Sequence, residues 1–153
     1  MSTVTTSGEP TAITLSAKTA AVTRAWAAAW NEGDTSLLEA LLDPGYRRRS
    51  AGSGRSESAT ELLVAIRSAR AAFPDLTTII DAIVEEGDQM AIFWHSTGTH
   101  QNEFLGVPPT RRSVETFGSN HCIFRNGSLV EENVTWDPRQ LLSALGIISL
   151  ESE

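Results

Sequence analysis

The stretch FPDLTTIIDAIVEEGDQMAIFWHSTGTHQNEFLGVPPTRRSVETFGSNHCIFRNGSLVEENVTWDPRQLLSALG, Phe73 to Gly146, decides the fold. It holds four runs with strand character: TTIIDAIVE, QMAIFWHSTGTH, RRSVETFGSNHCIF and SLVEENVTW. Glu86-Gly87-Asp88 separates the first two and Asn126-Gly127 the last two, while the loop QNEFLGVPPT joins the middle pair. Short turns between neighbours demand antiparallel pairing, because parallel pairs need long crossovers. Pro138 suits the first turn of a closing helix, PRQLLSAL, and Gly146 suits the position after its end. The strands also carry Trp94, His95, His100, His121 and Asn133, and they end at Asp137, where a plain sandwich would carry Val, Ile and Thr. That pattern predicts a half-open barrel with chemistry at its mouth.

Toward the N-terminus the periodicity becomes helical. In Ser16 to Glu32, Val22, Trp26 and Trp30 recur every four residues with Ala29 beside them, which makes one apolar stripe. Ser36 with Glu39 forms a capping box for a short helix, SLLEALLD, that Pro44 stops. Tyr46 to Ser50 is a candidate short strand, and AGSGRSES after it is a loop. A second capping box, Ser58 with Glu61, opens a helix presenting Leu62, Ile66, Ala69 and Phe73, and Pro74 closes it. Helices first, then a meander, then a closing helix predict an α+β fold, with helices packed on one face of a curved antiparallel sheet. The expected organisation is one domain over residues 16–146, an N-terminal tail over 1–15 and a C-terminal tail over 147–153.

The 153 residues are 41% hydrophobic with a mean hydropathy of -0.13, in keeping with a globular domain that has a real core. A net charge of -7 argues against nucleic acid or an anionic membrane as partner, and Arg47-Arg48-Arg49 is too short a basic run to reverse that. No apolar stretch approaches the ~20 residues that span a bilayer, and no signal peptide is visible, so a cytoplasmic location is expected. Cys122 stands alone in an apolar run and reads as a small buried hydrophobe. His95 and His100 are five apart, on opposite faces of an unbroken strand, so no metal site is expected. No phosphate loop or nucleophile elbow is present, so no cofactor is expected. What remains is acid–base chemistry in a shaped cavity.

Asp137 is the best candidate for such a group. Following Trp136 and preceding a helix start, its carboxylate has two readings: a partly desolvated base with a raised pKa, or the N-cap of the closing helix. Its strand presents Leu129, Glu131, Asn133 and Thr135 on one face, and Val130, Glu132, Val134 and Trp136 on the other. Whether His121 shares the Asp137 face depends on the Asn126-Gly127 hairpin. A two-residue loop points it away; a three-residue loop with a Gly127 bulge brings it alongside and collects the polar groups in one wet pocket. The three-residue loop is the expectation, with His100 as the alternative partner. Trp26, Trp30, Trp94 and Phe104 would supply flat walls, with ordinary core packing the favoured reading for Trp30. The apolar row Val130, Val134 and Trp136 on the open sheet face predicts self-association into a dimer or larger homo-oligomer.

The chain resembles the SnoaL-like polyketide cyclase family, within the nuclear transport factor 2-like superfamily. The resemblance rests on Trp30-Asn31-Glu32-Gly33-Asp34, Ala72-Phe73-Pro74-Asp75, Glu86-Gly87-Asp88, Gly98-Thr99-His100, the block from Phe104 to Thr110, Arg125-Asn126-Gly127 with Glu131-Glu132, and Trp136-Asp137 running into Leu145-Gly146. It spans about residues 16–146. It implies a cone-shaped α+β barrel around an apolar cavity, and cofactor-free ring closure of polyketide-like aromatics by aldol chemistry. An acid at the place of Asp137 would be the general base, with a histidine, His121 or His100, on the enolate oxygen. Trp26, Tyr46, Trp94, Phe104 and Asn133 would contact the substrate. Relatives of this fold instead hydroxylate rings, open epoxides into cyclic ethers or isomerise other small molecules, and a non-catalytic small-molecule-binding module is the further alternative for this chain. The chain departs from the family pattern at Phe93, Asn102, Arg111 and Asn133, and in the Arg-rich segment Tyr46 to Ala51. Those departures point to an altered cavity wall and a different substrate or reaction within the family.

Overall fold

The structure is a computed structural model that describes residues 15–149. The expected N-terminal tail lies outside the described residues except for Leu15, and so does the C-terminal tail beyond residue 149.

Ser16 opens α1 (Ala17–Ala27) by accepting a hydrogen bond from the Thr19 N–H. The helix does not stay regular to its end: Ala28–Glu32 widens into a π turn, closed by Gly33 at φ 77°. Asn31 leaves that turn to bond both the N–H and the carbonyl of Thr78, which pins α1 to the sheet. The next helix, α2, covers only Ser36–Leu41, and Thr35 rather than Ser36 is its N-cap residue. The chain is already extended at Leu42, so Pro44 lies inside strand β1 (Leu42–Ser50) instead of stopping a helix. A two-residue strand β2 (Ser56–Glu57) leads to α3 (Ala59–Ala72), where Ser58 and Glu61 cap as the sequence predicts.

The meander is β3 (Thr77–Glu86), β4 (Gln89–Thr99), β5 (Ser113–Arg125) and β6 (Ser128–Trp136), antiparallel throughout. Helix α4 (Pro138–Ala144) follows it. The six-stranded sheet has the order β2-β1-β6-β5-β4-β3. Strand β1 lies parallel to β6, so the sheet is mixed rather than wholly antiparallel. The helices pack on one face of this curved, unclosed sheet, around a core that includes Val22, Ala29, Leu62, Ile66, Met90, Ile92 and Phe124. Cys122 is 1% exposed within it, the small buried hydrophobe the sequence suggests.

The β5–β6 hairpin corrects one expectation and meets another. Arg125 pairs with Ser128 across a two-residue turn in which both Asn126 (φ 52°) and Gly127 (φ 79°) are left-handed. The expected three-residue loop is absent. A bulge one step further on, at Val130, supplies the missing residue, and His121 pairs with Asn133. His121 therefore does share a face with Glu131, Asn133 and Thr135. That face is the outer, solvated one. Leu129, Glu132 and Val134 are buried on the inner face, and Trp136 joins them.

Trp94 crosses the inner face over Gly118, its partner in the β4–β5 ladder. A Cβ on Gly118 would overlap the indole, with Trp94 Cε2 at 2.7 Å. Gly118→Ala is expected to cost about 1–3 kcal/mol through overpacking and to shift the tryptophan emission. Thermal denaturation and fluorescence of the variant check this; an unchanged melting curve would contradict the packing.

Candidate functional site

A cavity of about 500 Å³ lies between the helices and the inner face of the sheet. Its wall is mostly aromatic and aliphatic: Trp26 and Trp30 from the α1 end, Phe73 from the α3 end, Trp94 from β4, Phe104 and Leu105 from the long loop, and Trp136 and Leu141 around the start of α4. The π turn sets Trp26 and Trp30 at a centroid distance of 6.2 Å and a tilt of 43°, so two indoles front the same space. Charge enters the wall at one end only, through Arg48, Arg55 and Glu57 of β1, β2 and their connecting turn. A volume of this size suits a small polycyclic molecule.

Behind Arg48 lies a buried polar network. Glu132 is 5% exposed, and both its oxygens are engaged: the Tyr46 hydroxyl donates to Oε1 at 3.2 Å and the Asn120 Nδ2 to Oε2 at 2.8 Å. The Asn120 Oδ1 accepts in turn from Trp94 Nε1 at 2.9 Å. Arg48 sits opposite Glu132 in the β1–β6 ladder and reaches forward to Glu57, with Nη1 to Oε2 at 3.5 Å. Burial pushes the Glu132 carboxyl above its usual range, opposed first by the Arg48 charge and then by the Asn120 and Tyr46 hydrogen bonds. Burial and the nearby Glu132 likewise push the Tyr46 phenol up, which keeps it a donor. The chain of bonds Glu132–Asn120–Trp94 thus fixes a cavity wall from behind.

The predicted site residues fall into three groups. Trp26, Trp94 and Phe104 line the cavity as expected. Tyr46 does not; it is buried behind the wall on Glu132. Asn133 and His121 lie on the outer face, His121 exposed and bonded through Nε2 to Gln89 at 2.8 Å, so neither reaches the cavity. Phe93, whose departure from the family pattern suggested an altered wall, is also on the outer face and 45% exposed. His100 is fully buried in its loop: the Thr110 N–H donates to Nδ1 at 3.1 Å, the ring stacks on Phe73, and it is not among the cavity residues. Glu132, Asn120 and Arg48 escaped the sequence reading. One signal was available, an acid at 132 on an otherwise apolar strand face, which marks a buried and paired carboxylate.

Asp137 caps α4, accepting from the Arg139 N–H at 3.0 Å, and forms a bidentate pair with the Arg139 guanidinium at 2.8–3.1 Å. Its side chain is 40% accessible, so of the two readings of Asp137 the helix cap is the one present and the desolvated carboxylate is not. The Arg139 side-chain and backbone hydrogen bonds hold its carboxyl below the usual range rather than above it. Its position is nonetheless at the cavity rim, since Trp136 and Pro138 on either side both line the cavity. Among the described residues no cluster of three or more His, Cys, Asp or Glu side chains converges as metal ligands, and no helix is long and apolar enough to cross a membrane.

Helices on an open curved sheet around one such cavity define the ketosteroid isomerase-like, or nuclear transport factor 2-like, class of folds. A protein of that fold from Catenulispora acidiphila is similar to this chain at a TM-score of 0.66 and 14% identity, over 80% of this chain and 90% of its own. The family model for SnoaL-like polyketide cyclase matches residues 20–145, and the chain belongs to that family. Among solved structures it is similar to AclR, a candidate hydroxylase from Streptomyces galilaeus, at 30% identity and a TM-score of 0.76 over 86% of this chain and 97% of AclR. It is also similar to IdmH, a candidate polyketide cyclase from Streptomyces antibioticus, at 29% identity and a TM-score of 0.74 over 86% and 99% of the two chains. No curated protein matches the sequence.

The Glu132 network yields a pH prediction. A carboxyl whose folded pKa is raised contributes stability below its unfolded pKa, near 4.3 for a model Glu, and loses it as pH rises through the folded value. Glu132→Gln removes that loss, so the variant should gain on the native protein in melting temperature as pH rises above the ordinary glutamate range. A difference that is the same at every pH would refute the buried ionisation.

Proposed function

We propose that this protein is a cofactor-independent tailoring enzyme that closes a ring in a polyketide-like aromatic by acid–base aldol chemistry. The carrying observation is the aromatic cavity with an ionised carboxylate, Asp137, at its rim. Asp137 takes a proton from an activated carbon of the substrate, leaving an enolate. The enolate carbon attacks a carbonyl of the same molecule, and the alkoxide that forms takes up a proton. Mass is unchanged. The folded substrate between indole walls makes the attack an oriented unimolecular step, which offsets the modest basicity of a carboxylate whose pKa is lowered. His121 and His100 are not placed to serve as the partner. The Trp26 Nε1, buried in the cavity wall without a partner among the described residues, is the donor suited to the enolate oxygen.

Asn retains the helix cap, so Asp137→Asn should fold normally while turnover of a cyclisable substrate falls about 100-fold or more. A depressed carboxylate stays ionised as pH falls, so the acidic limb of kcat/KM should lie below about 4. Arg139→Ala should move that limb upward. Full turnover by Asp137→Asn, or an acidic limb near neutrality in the native protein, would rule out this base. The likeness to AclR supports a second reading, hydroxylation. A product heavier by one oxygen would select it over ring closure.

The same reading extends to assembly. The expected interface row does not exist, because Val134 is buried and Trp136 faces the cavity. The outer face instead exposes Ile79, Phe93 and Phe117, each close to half accessible. Two copies should pair there, giving twice the 16.5 kDa chain mass in light scattering. Phe93→Arg with Phe117→Arg should return a monomer. A native monomer at micromolar concentration would refute the pairing.

A further inference from the structure

We infer that the charged end of the cavity is an anion receptor: the ligand carries an acidic oxygen, and Arg48 binds it. This deepens the proposed ring-closing reading by naming a substrate class, planar aromatics bearing a carboxylate or an equally acidic hydroxyl.

Three observations carry the inference. Arg48 lines the cavity, and its Nε is buried with no hydrogen-bond partner among the described residues. A guanidinium with an unpaired buried N–H is under-satisfied, and 16% of the Arg48 side chain stays accessible where it lines the cavity, so a ligand oxygen there is the acceptor that the group lacks. Next, the neighbouring carboxylates do not supply that acceptor. Arg48 stands opposite Glu132 in the ladder, whose oxygens are already taken by Tyr46 and Asn120, and its Nη1 is drawn to Glu57 at 3.5 Å. The one side-chain contact the guanidinium makes among the described residues, to Glu57, leaves Nε unused. Finally, the charges in the wall are two guanidinium groups, Arg48 and Arg55, against one carboxylate, Glu57, in a chain whose net charge is -7. A cationic end in an acidic protein favours an anion.

The geometry also gives the ligand a polarity. The apolar walls of Trp26, Trp30 and Trp94 suit the rings, and the charged end is built from β1, β2 and their turn. Rim residue Asp137 follows β6 and belongs to a separate part of the wall, so an acidic oxygen on Arg48 would orient the reacting carbon without occupying the base.

The test compares anthraquinone-2-carboxylate with anthraquinone-2-carboxamide, which share a ring system and differ in charge. Binding is read by quenching of tryptophan fluorescence and by calorimetry. A charged hydrogen bond predicts that the carboxylate binds about tenfold tighter or more. Arg48→Met should erase the difference while leaving carboxamide affinity within a few-fold. Glu57→Gln frees the guanidinium from its competitor and should tighten the carboxylate alone. Because Glu132 depends on the Arg48 charge, Arg48→Met is paired with Glu132→Gln if the single variant does not fold. Equal affinity of the two probes for the native protein, or equal weakening of both by Arg48→Met, overturns the receptor while the ring-closing reading stands. Failure of both probes to bind overturns the receptor and the aromatic cavity together. Loss of the Asp137 effect on turnover, with carboxylate preference intact, overturns only the ring-closing reading.

Discussion

The burial of Glu132 is the constraint on which the rest of this structure turns. A carboxylate out of water costs several kcal/mol unless it is paired and hydrogen-bonded, and the fold meets that demand from the two strands that flank β6. Tyr46 and Arg48 come from β1 and Asn120 from β5, so the network ties β1 to the meander as well as satisfying the acid. Removing either neutral donor would leave a lone pair unmet; removing Arg48 would leave a charge uncompensated. The same network ends at the Trp94 indole, which can lie flat over the sheet only because residue 118 is glycine. One buried acid thus connects the unusual parallel strand to the shape of the cavity wall.

Much of the fold was legible in the sequence because turns and periods act locally. Glu86-Gly87-Asp88 and the Ser58–Glu61 cap each work within a few residues and stand where expected, and Asn126-Gly127 marks the position of its turn though not the loop length. Register is different. The two-residue turn and the Val130 bulge nearly cancel, so the right residues share a face for a reason that composition could not supply. Which face meets the helices is a tertiary matter, and the guess that polar side chains line the pocket was reversed: His121 and Asn133 face solvent, while Glu132 and Asn120 are inside. Sequence periodicity reports which residues share a face, not which side is wet.

Several motifs that mark the family have a structural explanation in this chain. Asp75 accepts from the Thr99 N–H and hydroxyl at 2.7 and 2.8 Å, and the Ala72 carbonyl accepts from the N–H groups of Gln101 and Asn102. Phe73 packs on His100, with Gly98 small enough to allow it. The Ala72–Asp75 and Gly98–His100 segments are therefore two halves of one latch between the end of α3 and the end of β4. His100 in that latch packs on Phe73 and accepts from the Thr110 N–H, which accounts for its burial away from the cavity. Asn31 does the corresponding work for the π turn.

The cavity divides its tasks between two kinds of wall. Indole and phenyl faces bury almost any flat apolar molecule, and their affinity grows with area rather than with identity. Discrimination has to come from the few polar atoms that a wrong ligand would leave unpaired. In this chain those atoms sit apart: the guanidinium of Arg48 at the charged end, the Trp26 Nε1 in the wall, and the Asp137 carboxylate at the rim. On the proposed ring-closing reading, a ligand that answers only one of them gains burial but not orientation, and such a step depends on orientation. The Arg-rich segment Tyr46 to Ala51, where this chain departs from the family pattern, contributes Arg48, Ser50 and Ala51 to the cavity wall, so the departure changes the polar part of that wall while the aromatic part comes from other elements.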